Sequence, residues 1–255
     1  MKRIVTLGLL ALVLTATGCL QLESNAVIEK DGSGTLDITF TVPLDVEQAL
    51  RELSQLDAGM DEDMGTPPMF DENFDISELK ADLSPHGVEV KDYVNGVEGD
   101  SRVTSLTLAF KDVDGMQAAL EGAGGSDGAM GIRRMSDGNF YLGEVEASYH
   151  FDEADEEEAY EEPSMEDLEN MDMGAAMQDA ARSMELMGVL MSRASDLSLV
   201  WRITVPGDVI RHNAQQVEGR TCVWAFDSSG MMSGSMESPE VVFSSQGVKI
   251  DAPDM

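Results

Sequence analysis

The chain has 255 residues, 16 Lys and Arg against 49 Asp and Glu, and a formal charge of −33. That length suits one large domain or two small ones. The charge excludes a nucleic-acid partner and repels anionic surfaces over most of the molecule. It reads as a solvated surface whose self-repulsion salt would screen, and fits a marine or salt-tolerant source.

Lys2 and Arg3 open the chain, Ile4 to Leu14 is an uncharged apolar run, and small residues Thr15 to Gly18 precede Cys19. This is the three-part plan of a secretory signal, and its apolar run is too short to span a bilayer stably. Small residues immediately before a cysteine resemble the bacterial lipobox. Residues 1–18 are therefore expected to be a signal peptide, with Cys19 the lipid-modified first residue of the mature chain. One acyl chain anchors poorly and two hold, so the expected partner is a membrane, through the lipid on Cys19. Leu20 behind that cysteine favours the outer membrane if the source is diderm.

After Cys19, residues 19–255 read as one domain. Ala26 to Lys30 and the alternating Leu36, Ile38, Phe40 and Val42 form a hairpin around Asp31-Gly32-Ser33-Gly34. Pro43 ends it. Val46, Ala49, Leu50 and Leu53 follow helical spacing, with Asp45 as N-cap. Residues 58–73 read as a loop. Ile76, Leu79 and Leu83 mark a short helix that stops near Ser84-Pro85. Two strands follow, Val88 to Val94 and Val103 to Phe110, turning at Asn95-Gly96 or as late as Asp100. Val113, Met116 and Leu120 give another helix, residues 122–131 a glycine-rich loop, and Phe140 to Phe151 a strand.

Residues 152–194 interrupt this pattern. No Lys or Arg occurs between Arg134 and Arg182, and acids crowd residues 152–172. Like charges at helical spacing weaken a helix, so 152–163 is expected to be mobile and 164–194 helical. Met177, Met184, Met187 and Met191 recur with Leu190 on one helical face. That face is expected to pack against the sheet as core. The competing reading is a lipid-contacting groove, since Met surfaces repack around varied partners. These four methionines are the ligand-binding candidates.

Beyond the insertion, Leu197, Leu199, Trp201, Ile203 and Val205 alternate, and so do Cys222, Trp224 and Phe226. Cys222 has no partner thiol once Cys19 carries lipid, and reads as a small buried hydrophobe. Strands outnumber helices and hairpins are frequent. The expected class is α+β, a largely antiparallel sheet with helices packed on one face and an acidic, Met-rich helical insertion.

The run Trp201-Arg202-Ile203-Thr204-Val205-Pro206-Gly207-Asp208-Val209-Ile210, then Asn213, then Gly219 to Trp224, is similar to the LppM-type domain of bacterial envelope lipoproteins. The opening strand, Asp31-Gly32-Ser33-Gly34 and second strand agree. The resemblance covers about residues 19–151 and 195–245. It implies a β-rich, surface-anchored domain without catalytic activity, in contact with envelope lipids or glycolipids. Many relatives end in a transmembrane helix, whereas this chain ends in Asp251-Ala252-Pro253-Asp254-Met255. The insertion is not part of the family pattern.

Motifs for chemistry are sparse. His86, His150 and His212 are scattered, which argues against zinc. Asp61-Glu62-Asp63 and the 152–172 acids lack EF-hand spacing. Met171, Met173, Met184, Met187, Met231 and Met232 offer thioethers for copper, but serve equally as adaptable apolar residues. No nucleophile motif or phosphate loop occurs. The expectation is a non-enzymatic protein with no cofactor, no metal and no catalytic residue. It binds a lipid or another envelope component, or, alternatively, is an assembly partner docking another protein through the Met-rich helix. Oligomeric state is left open.

Overall fold

The computed structural model describes residues 20–56, 74, 76–122, 130–145, 173–232 and 237–255. The expected signal peptide (residues 1–18), Cys19, the expected loop over 58–73, His150, Met171 and the acidic residues 152–172 lie outside them.

Alternating Leu and Ile against Asp and Thr produces β1 (Gln21–Ile28) and β2 (Gly34–Pro43), antiparallel from Gln21↔Thr41 to Ile28↔Gly34. Asp31 closes their turn by accepting from the Ser33 amide (3.1 Å) and hydroxyl (2.6 Å). Gly32 supplies the positive φ, 89°, that the turn requires. α1 (Leu44–Leu56) and α2 (Ile76–Leu83) follow, then β3 (Val88–Glu98) and β4 (Ser101–Phe110). The β3–β4 ladder runs through Asn95-Gly96 to Glu98↔Ser101, so the late turn is the one adopted.

α3 (Val113–Gly122) leads to β5 (Met130–Arg134) and β6 (Phe140–Glu144). β5 begins inside the stretch read as a glycine-rich loop; its short run offers too little alternation to stand out. α4 (Met173–Arg193) realises the described part of the helix expected over 164–194. The remainder is β7 (Ser198–Thr204), β8 (Val209–His212), β9 (Gln216–Glu218), β10 (Thr221–Asp227), α5 (Ser228–Met232) and β11 (Val241–Phe243).

Two sheets result, where the sequence pattern suggested one. The larger has the order β3-β4-β2-β1-β7-β10-β9, and the smaller β5-β6-β11-β8. Among the described strands, β1 and β7 form the one parallel pair within a sheet. The architecture is α+β with a large, mainly antiparallel sheet.

One face of the seven-stranded sheet is buried. Ile28, Leu36, Ile38, Leu106, Leu108 and Trp224 point into a core shared with Met116 of α3 and with Ile132, Phe140 and Phe243 of the smaller sheet. Phe140 and Phe243 stack there at 5.5 Å. The opposite face is polar: Asp37 accepts from Thr107 (2.8 Å), and Thr39 meets Ser105 (3.2 Å). Helices α1, α2 and α3 lie on the buried side, because a sheet with one apolar face requires a covering layer.

The Pro206-Gly207 turn does more than end a strand. It carries the chain from β7 in the larger sheet to β8 in the smaller one. A Cβ at Gly207 would lie 2.0 Å from the Ser244 carbonyl oxygen, so no side chain fits where the two backbones cross.

Candidate functional site

The methionine helix was expected to bury its Met face. Instead, Met177, Met184, Met187 and Met191 are 73%, 78%, 49% and 62% exposed. The physical reason lies on the other side of the helix. Leu186 is buried, Val189 and Leu190 are half-buried, and this face turns toward α1. Arg182 directs Nε (3.1 Å) and Nη2 to Glu52 of α1, and Nη1 to Glu185 (2.7 Å). At the last residue of the helix, Arg193 places Nε (3.1 Å) and Nη2 (2.8 Å) on Asp45. Asp45 and Glu52 are seven residues apart on α1, and Arg193 and Arg182 eleven apart on α4, so the helices run antiparallel. Two charge-assisted contacts and one leucine set the rotation of α4, and the methionines are left pointing outward.

The guanidinium groups hold the carboxyls of Asp45 and Glu52 below their ordinary values, chiefly by hydrogen bonding. Both arginines are correspondingly raised. Sequence reasoning missed this clasp. Its signal was present: Arg182 is the first base after a long stretch without one, and in so acidic a chain each base has a choice of partners.

The outward face of α4 has an unusual composition. Met177, Ala180, Ala181, Met184, Met187, Gly188 and Met191 share it, all exposed and none charged. Asp179 and Glu185 fall to either side. A helix normally buries its apolar residues and shows charge to solvent; α4 buries Leu186 but turns a second, uncharged face to solvent.

The helix also has a definite place relative to the chain's start. After α4, a short turn over Ala194–Asp196 leads to β7. The Ser198 amide donates to the Leu20 carbonyl at 2.9 Å. The residue after Cys19 is therefore bonded to the chain just beyond the C-terminal end of α4.

The other residues singled out from sequence have structural positions. The Trp224 indole Nε1 donates to Asn213 Oδ1 at 2.8 Å, and the Glu240 amide donates to the same oxygen at 2.9 Å. Asn213 Nδ2 donates to the Ser238 carbonyl at 2.8 Å. Asn213 thus ties the smaller sheet to the core tryptophan. Trp201 is half-buried, edge-on to Phe226 at 6.5 Å. Cys222 is buried, which pushes its thiol upward from the ordinary value. His86 ends the turn after α2 and His212 ends β8. Met231 and Met232 fall in α5. Among the described residues, no three His, Cys, Asp or Glu side chains gather as a metal set.

A polar cleft of about 320 Å³ lies at the opposite end of β1 from Leu20, lined by Lys30, Gly207, Asp208, Arg220, Ser244 and Gln246 among others. Arg220 Nη1 is engaged by the Pro206 carbonyl at 2.7 Å.

These features define a two-sheet α+β domain with an apolar helix face turned outward near its first strand. No protein-family model matches the chain, and no curated protein sequence does. Among solved structures, it is similar to the folded domain of LppM from Mycobacterium tuberculosis, determined by NMR. That similarity has 10% identity and a TM-score of 0.44, and covers 89% of this chain and 90% of that one. The fold class rests on the strand pairing described above. Among the described residues, no helix is long and apolar enough to cross a membrane.

Proposed function

We propose that this chain is a non-enzymatic, lipid-anchored envelope lipoprotein that binds a lipid or another envelope component through α4. The observation carrying the reading is the exposed, uncharged face of Met177, Met184, Met187 and Met191. Apolar side chains turned to water lose the stabilisation that burial would supply, roughly 25 cal/mol per Å². A contiguous apolar patch on a soluble surface marks an interaction site. Methionine suits such a site because its flexible thioether chain adapts to irregular apolar partners. The small residues before Cys19 support export and acylation, and Leu20 directs the mature protein to the outer membrane in a diderm source.

Native mass spectrometry of the purified chain, incubated with extracted envelope lipids, tests the binding step. Retained lipid that is lost in Met184→Asp supports the reading. A tightly held protein in its place supports assembly docking through the same helix. Neither species on the wild-type chain overturns binding through α4. Acyl labelling tests the anchor: Cys19→Ala should lose the label, and a fully labelled variant would remove the lipoprotein assignment.

A further inference from the structure

The position of α4, together with its composition, names an occupant for its outward face. We propose that this face lies on the bilayer that holds the Cys19 lipid, as a second, non-covalent contact that fixes how the domain sits on its membrane. The inference rests on the lipoprotein reading above.

Three observations carry it. Leu20, one residue from the acylated position, is bonded to Ser198 at 2.9 Å, so the lipid leaves the fold beside the C-terminal end of α4. Met191 stands at that same end, and the stripe runs back through Met187 and Met184 to Met177. At about 1.5 Å per residue it extends roughly 20 Å from the anchor, within reach of the surface into which the acyl chains insert. Finally, the stripe is free of charge in a chain of −33. Most of this molecule is repelled by an anionic bilayer, whereas an uncharged apolar stripe can enter the boundary between headgroups and acyl chains. Arg182 and Arg193, the bases through which a helix would hold anionic headgroups, are committed to Glu52 and Asp45 instead. The contact is therefore apolar, suited to zwitterionic lipid, and weakened as anionic lipid is added.

This arrangement differs from a groove that extracts a single lipid. It uses the face along its whole length and needs no movement of α4 from α1.

The test uses the full acylated chain in phosphatidylcholine vesicles. A bimane fluorophore is attached at Met184→Cys or, as a control, at Ser136→Cys. Ser136 is exposed in the β5–β6 turn; Arg134 beside it bonds the Ile250 carbonyl, and Ile250 lies near Gly32 at the end of β1 away from Leu20. Cys222 is buried and does not compete for label. At position 184, lipids brominated along the acyl chain should quench strongly while aqueous iodide quenches at least several-fold less than at position 136. Replacing part of the phosphatidylcholine by phosphatidylglycerol should reduce the bromolipid quenching. With the label moved to Met177→Cys, the double change Met184→Asp/Met191→Asp should reduce it at least twofold at unchanged helix content. An acylated chain whose position 184 is open to iodide overturns the inference and leaves the lipoprotein reading standing. So does a position shielded from iodide but unquenched by bromolipid, which would mean a protein cover. Absence of acyl mass on Cys19 overturns both.

Discussion

The Trp224 corner and helix α4 both carry apolar side chains at regular spacing, and they use that spacing in opposite directions. Around Trp224, the alternation of Cys222, Trp224 and Phe226 places the middle indole in the core, with its one polar atom bonded to Asn213. In α4, the repeat of Met177, Met184 and Met191 marks the side facing water. The difference comes from neighbours. β10 is hydrogen-bonded to β7 and β9 and cannot rotate, so its pleat decides which residues enter the core. A helix satisfies its backbone internally and is free to turn about its axis until its strongest lateral contacts are made. For α4 those contacts are Arg182 with Glu52, Arg193 with Asp45, and buried Leu186; with them made, the four methionines face solvent.

The widest separation between the two regions should appear on truncating the tryptophan. Trp224→Ala removes a large buried ring and should lower the unfolding free energy by about 3–5 kcal/mol in urea titration. A loss below 1 kcal/mol would mean the indole is not integral to the core. Asn213→Ala removes the acceptor from the Trp224 indole and the Glu240 amide. It should cost about 1–3 kcal/mol, because a buried donor is left unpaired. Asn213→Asp, which keeps the acceptor, should recover part of that loss.

Acid should act on α4 before it acts on the Trp224 corner. Asp45 and Glu52 have carboxyls held below their unfolded values, which lie near 4. Their contribution is complete above those unfolded values and is lost as pH falls through the lowered, folded ones. Hydrogen-exchange protection across α4 should therefore fall as pH drops below about 4, while β10 stays protected. Simultaneous loss in both would show that the clasp does not govern α4 separately. Smallest of all should be Met184→Asp. At an exposed position it should change global stability by no more than about 0.5 kcal/mol, although it should disrupt the binding proposed for that face. A large loss of stability would return Met184 to the core, where sequence periodicity placed it.

Much of the sheet was legible because period-two alternation has a single structural meaning. Leu36, Ile38 and Val42, and later Leu199 and Ile203, could be assigned to the buried face directly. The 31–34 turn, the end of β7 ahead of Pro206 and the burial of Cys222 were equally readable. The second sheet was legible only in β6, which begins at Phe140. β8 and β11 of that sheet, and the edge strand β9 of the larger one, have only four, three and three residues, too few for a pattern, and they exist because long-range partners complete their ladders. Asn213 was opaque for a related reason: its ligands come from Trp224, Ser238 and Glu240, remote in sequence.

By itself the sequence determined the class of the domain, the run of its longer strands, its acidic character and the existence of a methionine-faced helix, since each depends on local composition and spacing. Only the tertiary structure decided the direction in which that helix faces. Periodicity says that side chains share a face, whereas the pairing of Arg182 with Glu52 and of Arg193 with Asp45 determines which face meets α1 and which is left exposed.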